Sequence, residues 1–257
     1  MDLHLKDKVV LVTGSATGIG RAAAEVFLEE GAIVCLCDIN PDTLRKAKEE
    51  MSEKSDKVFA YTCDCASEKD VIGMFRQVGE DHGHLDVLVN NTGIIMDSEL
   101  VDMNYADWKR IFTVNIDSMF LCAREAVKYM KPERKPVILN AASVTANWPT
   151  MGNGAYSISK GAAINFTKVL CGELARKGIR VMGYMPGMTR THINDDVFKN
   201  EPERITAQIP LKRIAEPIEI GQVIAFLASD RASYMAGSMA IIDGGKLSVQ
   251  NPRRYDS

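Results

Sequence analysis

The sequence carries little excess charge, few aromatic residues (7%) and no long apolar run. Its 31 Lys and Arg residues face 34 Asp and Glu residues, so the net charge is −3. This excludes the strong basic excess that nucleic-acid binding usually requires. No apolar run approaches the roughly 18 residues of a membrane-spanning helix, and the first eight residues alternate apolar and charged side chains without the apolar centre of a signal peptide. We therefore expect a cytoplasmic protein with neither nucleic acid nor membrane as a partner.

Linkers, low-complexity segments and internal repeats are also missing from the sequence. The chain has 257 residues, of which 46% are hydrophobic and 25% charged, and this composition is typical of a globular protein. Domains with alternating helices and strands often reach this length as one unit. We therefore expect a single domain over residues 1–257.

The six cysteines are expected to be reduced, because no secretory signal accompanies them. Cys35 with Cys37, and Cys63 with Cys65, are spaced two residues apart, so both members of a pair face the same side of a strand. If the two strands are neighbours, four sulfur atoms lie close enough for a metal or redox site. The alternative is that these cysteines are small buried hydrophobic residues. We favour the second interpretation and expect no metal; a metal analysis of the purified protein decides between them.

Short apolar runs alternate with amphipathic stretches along the chain. Strands are predicted over Val9–Val12, Ile33–Cys37, Val58–Cys63, Leu85–Asn90, Val137–Asn140, Ile179–Tyr184 and Met239–Ile242. Helices are predicted over Gly18–Glu30, Thr43–Lys54, Ser67–Asp81, Tyr105–Met130, Ala155–Lys177 and Ile218–Ser229. Such alternation predicts a doubly wound α/β fold, a parallel sheet with helices on both faces. Ligands of these sheets bind outside the carboxyl ends of the strands, so the residues after each strand are the candidates for a site.

A glycine-rich segment, Thr13-Gly-Ser-Ala-Thr-Gly-Ile-Gly20, follows the first predicted strand. The spacing of its glycines differs from the G-x-G-x-x-G pattern, but the glycines can serve similar purposes. Gly14 permits a tight turn, while Gly18 and Gly20 let a pyrophosphate approach the N-terminus of the next helix. The alternative is an ordinary glycine-rich turn.

Asp38 ends the second predicted strand, 18 residues after Gly20. A carboxylate there accepts hydrogen bonds from the ribose hydroxyls of adenosine and repels a 2′-phosphate. Neither residues 15–17 nor residues 39–40 include Lys or Arg, so we predict NAD rather than NADP. A helix-capping role before Asn40 and Pro41 is the alternative for Asp38. Asp64 follows the third strand, where the adenine would lie, and Gly93 follows the fourth, where it allows the backbone to approach the cofactor.

Taken together, these residues resemble the short-chain dehydrogenase/reductase family from about Leu5 to Gly245. The matching motifs are Thr13-Gly-x-x-x-Gly-Ile-Gly20, Asp64, Asn90-Asn-x-Gly93, Asn115, Ser143, Tyr156-x-x-x-Lys160, Pro186-Gly187 and Asp243-Gly-Gly245. Thr92 departs from the family, which usually has Ala there. The resemblance implies a seven-stranded parallel sheet and hydride transfer between a nicotinamide and an alcohol or carbonyl carbon.

The resemblance also assigns roles to individual residues. It implies a catalytic tetrad of Asn115, Ser143, Tyr156 and Lys160. The expected cofactor contacts are Gly14, Thr17, Gly18, Ile19, Gly20, Asp38, Ile39, Asp64, Cys65, Asn91, Gly93, Tyr156, Lys160, Thr189 and Thr191. It further implies a homo-oligomer, a tetramer or dimer, packed through the two longest predicted helices.

Tyr156 and Lys160 are four residues apart on a predicted helix and therefore share a face. A tyrosine with its ordinary pKa of about 10 is a poor base at neutral pH, and we expect the Lys160 cation to lower that pKa. Tyr156 then takes a proton from an alcohol or returns one to a carbonyl oxygen. Ser143 donates a hydrogen bond to the same oxygen, and by resemblance Asn115 holds a water that links Lys160 to solvent.

Three other functions are weighed. A 3-oxoacyl-thioester reductase using NADPH fits the motifs but not Asp38, and a non-catalytic NAD-binding scaffold or sensor does not need the intact tetrad. A nucleophilic hydrolase needs a histidine, and His4, His82, His84 and His192 suggest no Ser–His–acid arrangement in the sequence.

The substrate is expected to be a small alcohol or ketone, such as a steroid, a polyol or a hydroxy-ketone. The connection from Met188 to Leu211 is long enough to be a lid, with short helices within Val197–Gln208. Trp148, Met151 and Asn153 are expected to line the opposite wall. His192 is either a substrate contact or an exposed loop histidine.

Overall fold

Seven apolar runs of the sequence form one parallel sheet in the computed structural model, which describes residues 1–191, 203 and 206–249. The strands are β1 (Val9–Thr13), β2 (Ile33–Asp38), β3 (Val58–Thr62), β4 (Val87–Asn90), β5 (Val137–Ala141), β6 (Arg180–Pro186) and β7 (Met239–Ile242). Their order is β3-β2-β1-β4-β5-β6-β7, and all neighbours are parallel. The order reverses between β1 and β4, whose carboxyl ends therefore flank the crevice where such sheets bind ligands.

Helices cover both faces of the sheet. They are α1 (Gly18–Glu29), α2 (Pro41–Ser52), α3 (Glu68–His82), α4 (Tyr105–Phe112), α5 (Ser118–Ala126), α6 (Gly154–Ala175) and α7 (Pro217–Ala228). Val10 and Val12 of β1 belong to the core cluster that includes residues of α1, α2 and α7. Val9 and Leu11 belong to the cluster that includes residues of α3, α5 and α6. Alternate residues of a buried strand thus face different helix layers, and the predicted doubly wound fold is confirmed.

Local capping sets the start of α2 and of α3. The side chain of Asn40 accepts hydrogen bonds from the backbone of Asp42 at 3.0 Å and Thr43 at 3.2 Å. Helix α2 therefore begins at Pro41, two residues before the predicted start, where the fixed φ of proline suits a first helical turn. Ser67 caps α3 by accepting a hydrogen bond from the Asp70 backbone at 3.3 Å.

The predicted continuous helix over Tyr105–Met130 is wrong. The structure has α4, then a π-helical segment over Thr113–Asp117, then α5, which ends at Ala126. The hydroxyl of Ser118 donates to the carbonyl oxygen of Val114 inside this widened turn. A π segment contains one residue more than a regular turn and often marks a functional site; here it contains the fully buried Asn115. Apolar periodicity over 26 positions does not reveal one additional residue.

Within the described residues, none of the helices has both the length and the apolarity to cross a bilayer.

Candidate active site

The loop between β1 and α1 has the backbone shape of an anion site. Gly14 and Gly18 adopt φ values of 61° and 59°, which favour glycine. A Cβ atom at Gly20 would lie 2.2 Å from the Gly14 carbonyl oxygen and 2.5 Å from Asn91 Nδ2, so a larger residue does not fit there. Thr17 precedes α1 without a side-chain cap, which leaves the first amide groups of the helix available to a ligand. The loop therefore fits a pyrophosphate, including at the predicted contacts Thr17, Gly18, Ile19 and Gly20.

Asn91 joins the end of β4 to this loop. Its Nδ2 donates to the carbonyl oxygens of Thr13 and Gly14, both at 3.1 Å, and its Oδ1 accepts from the Tyr184 hydroxyl at 3.1 Å. The Thr13 hydroxyl accepts from the backbone of Asn91 at 3.0 Å and of Thr92 at 3.1 Å. The side chain of Asn91 thus holds the loop in place, and its predicted contact with a cofactor remains a prediction.

Asp38 lies half-buried at the carboxyl end of β2, as predicted. Its carboxylate accepts hydrogen bonds from the backbone of Ala16 and of Asn40, each at 3.2 Å. The helix-capping alternative for Asp38 is wrong, because the Asn40 side chain caps α2. Ile39 follows at the same edge and is 62% exposed. A carboxylate and an open apolar side chain therefore flank the glycine loop.

Asp64 and Cys65 follow β3 and differ in exposure. Asp64 is half-buried and accepts a hydrogen bond from the Ala66 backbone at 2.9 Å. Cys65 is 5% exposed, with its sulfur 3.6 Å from Cys37 Sγ. The structure therefore places the Asp64 side chain at the sheet edge and that of Cys65 beneath it. The predicted strand Val58–Cys63 ends at Thr62, so Cys63 and Cys65 lie in the loop after β3.

Asn115, Lys160 and Gly93 converge from three separate elements. Asn115 Oδ1 accepts from the Ile94 backbone at 2.8 Å, and its Nδ2 donates to the Ile94 carbonyl at 3.0 Å and to Ser159 Oγ at 2.9 Å. A Cβ atom at Gly93 would lie 3.2 Å from Lys160 Nζ and 3.3 Å from Asn115 Oδ1. The π segment, the loop after β4 and α6 therefore meet at one point.

Ser143 and Tyr156 face each other across the end of β5. The Ser143 Oγ accepts hydrogen bonds from the backbone and the hydroxyl of Thr145, at 3.3 and 3.1 Å. The same hydroxyl is a hydrogen-bond partner of Tyr156 on α6. Lys160 Nζ lies 5.7 Å from the centroid of the Tyr156 ring. All four predicted tetrad residues are thus brought together at the carboxyl edge of the sheet.

Burial controls the protonation of this group. It lowers the pKa of Lys160, which is 3% exposed, to about 8. It raises the pKa of Tyr156 above its ordinary value, and the hydrogen bond with Ser143 opposes that rise. The expectation that Lys160 lowers the pKa of Tyr156 is therefore wrong for the chain alone, because loss of hydration raises this pKa and the hydrogen bond with Ser143 is what opposes the rise. At neutral pH Tyr156 holds its proton.

The segment after β6 returns to the glycine loop. A Cβ atom at Gly18 would lie 3.4 Å from Thr191 Cγ2, and Thr189 is 2% exposed with its hydroxyl donating to the Gly187 carbonyl at 3.1 Å. Thr191 thus lies against the start of α1. Most of the predicted lid Met188–Leu211, including His192 and most of the short helices within Val197–Gln208, lies outside the described residues.

The predicted substrate-side wall is open to solvent. Trp148 is 51% and Met151 98% exposed. Asn153 differs, because its Oδ1 is buried and has no hydrogen-bond partner among the residues that the structure describes. These three residues border Ser143 and Tyr156 in sequence, and their role toward a substrate remains a prediction.

The described histidines are engaged away from a triad. His82 Nε2 contacts the Tyr61 hydroxyl at 3.1 Å, and His84 Nε2 lies 3.2 Å from Asp86 Oδ2. His4 lies beside Asp2 and Asp230 at the surface. These contacts give no support to the hydrolase alternative.

Sequence reasoning missed the residues that hold the site together. Ser159 donates to the Tyr156 carbonyl at 2.7 Å and accepts from Asn115. Asn90 donates to Asn140 at 2.9 Å, and Asn140 donates to Thr167 Oγ1 at 3.0 Å. The available signal was an Asn at the end of each of two apolar strands, which the sheet pairs in register.

Comparisons with known proteins agree with this geometry. The matching family model, described as enoyl-(acyl carrier protein) reductase, covers residues 14–246. A 3-oxoacyl-acyl-carrier-protein reductase of Thermotoga maritima is 36% identical over 95% of this chain and 99% of its own. A 3alpha-hydroxysteroid dehydrogenase of Mediterraneibacter gnavus is 35% identical over 95% of this chain and 98% of its own. The crystal structure of L-sorbose reductase from Gluconobacter frateurii, complexed with NADPH and L-sorbose, superposes with a TM-score of 0.91 at 30% identity, over 97% of this chain and 100% of its own.

The chain belongs to the short-chain dehydrogenase/reductase family. It is therefore an oxidoreductase of a family that uses a nicotinamide cofactor.

Proposed function

We propose that the chain is an NAD-dependent dehydrogenase that interconverts a secondary alcohol and a ketone. The observation that carries this proposal is the convergence of Ser143, Tyr156, Lys160 and Asn115 beside the open N-terminus of α1. A phenol, a hydroxyl and an amine at one sheet edge provide proton transfer next to a place for a dinucleotide.

The glycine loop would hold the pyrophosphate, Asp38 the adenosine ribose, and Gly93 with Lys160 the nicotinamide ribose. The bound nicotinamide supplies or accepts the hydride at the substrate carbon. Asp64 would lie at the adenine edge, and Thr189 and Thr191 near the nicotinamide amide. These assignments follow the placement of the side chains at the carboxyl edge of the sheet.

Proton transfer to or from the substrate oxygen is assigned to the chain's own residues. Tyr156 keeps its phenolic proton at neutral pH and can donate it to a carbonyl oxygen in the reductive direction. Ser143 can donate a second hydrogen bond to that oxygen and stabilise its developing charge. Lys160 donates to the Ala141 carbonyl at 3.0 Å and, with a pKa of about 8, can exchange a proton near neutral pH. Asn115 holds the Gly93–Ile94 backbone against Lys160 and is the proposed anchor of a water there.

Substitution Tyr156→Phe tests the proton-transfer role. We expect turnover to fall by about 10²–10⁴-fold, the usual contribution of general acid–base catalysis, while binding of NADH measured by fluorescence is retained. Tyr234→Phe is the matched control, because Tyr234 is fully exposed. Substantial activity in Tyr156→Phe would contradict the proton-transfer role, whereas a wild type without turnover would favour the scaffold or sensor alternative.

Asp38 supports NAD over NADP. Its carboxylate lies at the end of β2 beside Ala16, and the nearby Arg21 is paired with Glu25 at 2.9 Å and Glu50 at 2.8 Å. We expect the ratio of kcat/KM for NAD over NADP to fall at least tenfold in Asp38→Ala, since the repulsion of a 2′-phosphate is lost. Asp42→Ala, at an exposed position of α2, is the control. A wild-type enzyme faster with NADP would contradict the NAD assignment.

A 3-oxoacyl-thioester reductase using NADPH is the second candidate. The relative from Thermotoga maritima favours it. The description of the matching family model shares the acyl-carrier substrate but names reduction of an enoyl group. Other relatives, named as 3alpha-hydroxysteroid, cyclopentanol and meso-2,3-butanediol dehydrogenases, favour a free secondary alcohol. Rates with sterols, cyclic alcohols, polyols and an acetoacetyl thioester, each with both cofactors, separate the two.

We also propose a dimer or tetramer packed through α5 and α6. Phe120 on α5 is 46% exposed, and Ile158 and Val169 on α6 are 46% and 61% exposed. Apolar surface of this kind is typical of protein interfaces. Light scattering after size exclusion measures the assembly, and a monomer would contradict this part of the proposal.

A further inference from the structure

Three buried cysteines meet at the carboxyl ends of β2 and β3. The sulfur atoms of Cys37, Cys63 and Cys65 all lie within 4.8 Å of one another, and those of Cys37 and Cys65 are 3.6 Å apart. The three side chains are between 0% and 5% exposed. We name them the thiol cluster.

The thiol cluster differs from the group expected from the sequence. Cys35 shares β2 with Cys37, but its hydrogen-bond partner is Tyr61, and burial raises its pKa to about 12. The end of β2 and the loop after β3 therefore supply three sulfurs around one point.

The spacing of the sulfurs matches a thiolate metal site. A Zn–S distance of about 2.3 Å in a tetrahedron places neighbouring sulfurs about 3.8 Å apart. The observed 3.6 Å between Cys37 and Cys65 is close to this value, and the 4.8 Å limit on the other pairs requires only a small contraction. The cluster sits within the apolar core between the sheet and α3 and α5, which excludes water from such a site. Thiolates in these surroundings select soft metal ions.

We propose that Cys37, Cys63 and Cys65 form a three-sulfur site for a thiophilic metal ion of the Zn²⁺ and Cd²⁺ class. Protein sulfur would fill three positions around the ion, at the separations that thiolate ligands need. The ion would join the end of β2 to the loop after β3.

Cadmium binding to the full-length reduced protein tests this proposal. We expect about one Cd²⁺ per chain after desalting, with an ultraviolet charge-transfer band from sulfur to cadmium, and Zn²⁺ should raise the melting temperature of the wild type. Cys37→Ala and Cys65→Ala, on β2 and in the loop after β3, should each lose the band and the Zn²⁺-dependent rise. Cys35→Ala is the matched control, since Cys35 is equally buried and two residues from Cys37; Cys171→Ala is the second control.

Circular dichroism of each variant shows whether it folds, and the wild-type measurements stand without the variants. No Cd²⁺ retained by the wild type and no Zn²⁺-dependent rise in its melting temperature would overturn the proposal. Cd²⁺ binding that is unchanged in Cys37→Ala and Cys65→Ala, or lost in folded Cys35→Ala, would also overturn it. A Cys37–Cys65 disulfide in the freshly purified protein, with metal binding absent after reduction, would overturn it as well.

Discussion

Substitution of Lys160 by Met should stabilise the fold at neutral pH while it removes activity. Lys160 is 3% exposed, and burial holds its pKa at about 8 rather than 10.5. A change of one pKa unit corresponds to 1.36 kcal/mol, so burial of the protonated amine destabilises the folded state by roughly 3 kcal/mol. Met fills a similar volume without charge but loses the hydrogen bond from Nζ to the Ala141 carbonyl, which offsets about 1–2 kcal/mol. We expect a net gain of about 1–2 kcal/mol at pH 7.

The pH dependence of this gain follows from linkage. A lowered pKa means that the folded chain binds fewer protons than the unfolded chain between about pH 8 and 10.5, so the free energy of unfolding of the wild type rises through that window. The Met variant lacks this rise. The stability difference should therefore shrink above about pH 8 and reverse as the pH approaches 10. Other groups with raised pKa values, such as Cys35 and Tyr61, are common to both proteins and cancel in the difference.

Guanidinium unfolding followed by circular dichroism, at fixed protein concentration and from about pH 6 to 10, measures this difference. Lys168→Met is the matched control, because Lys168 is exposed on the same helix. Its effect should stay within about 0.5 kcal/mol at every pH. A stability difference for Lys160→Met that does not change with pH would refute the reasoning, because Lys160 would then not be charged and dehydrated in the folded chain.

Two further substitutions test the loop and the opposite edge of the sheet. Gly20→Ala should weaken NADH binding at least tenfold, because its Cβ would lie 2.2 Å from a backbone oxygen, whereas Gly172→Ala has open space on α6 and should not; equal binding in both would contradict the loop assignment. Asp86→Asn should lower the free energy of unfolding by about 3 kcal/mol, because Asp86 is 1% exposed and bonded to Arg134 at 2.6 and 2.9 Å. The exposed Asp42→Asn is its control, and a similar small loss in both would show that the buried pair is not stabilising.

Local signals predicted the order of elements well. Apolar runs and glycine-rich or capping residues located all seven strands and the start of α3, since these features depend on neighbours in sequence. The positions of Asp38 and Tyr156 followed because parallel strands present their carboxyl ends at one edge.

Features that depend on distant residues could not be predicted. Ser159 became the partner of Asn115 only through the packing of α6 against the π segment. The predicted direction of the pKa shift of Tyr156 was wrong. Dehydration raises this pKa, and it depends on the residues that cover the ring, which the i,i+4 spacing to Lys160 does not describe.

The π segment also has a consequence for how this chain can change. Each residue of a regular helix turns the backbone by about 100°. One additional residue between α4 and α5 therefore rotates the side chains of α5 about the helix axis relative to those of α4. Replacing side chains does not add or remove that rotation; an insertion or deletion does. The direction in which Asn115 points therefore depends on the number of residues over Thr113–Asp117 rather than on the identity of any one of them. A variant shortened by one residue there would keep a smooth helix and turn the amide away from Ile94 and Ser159.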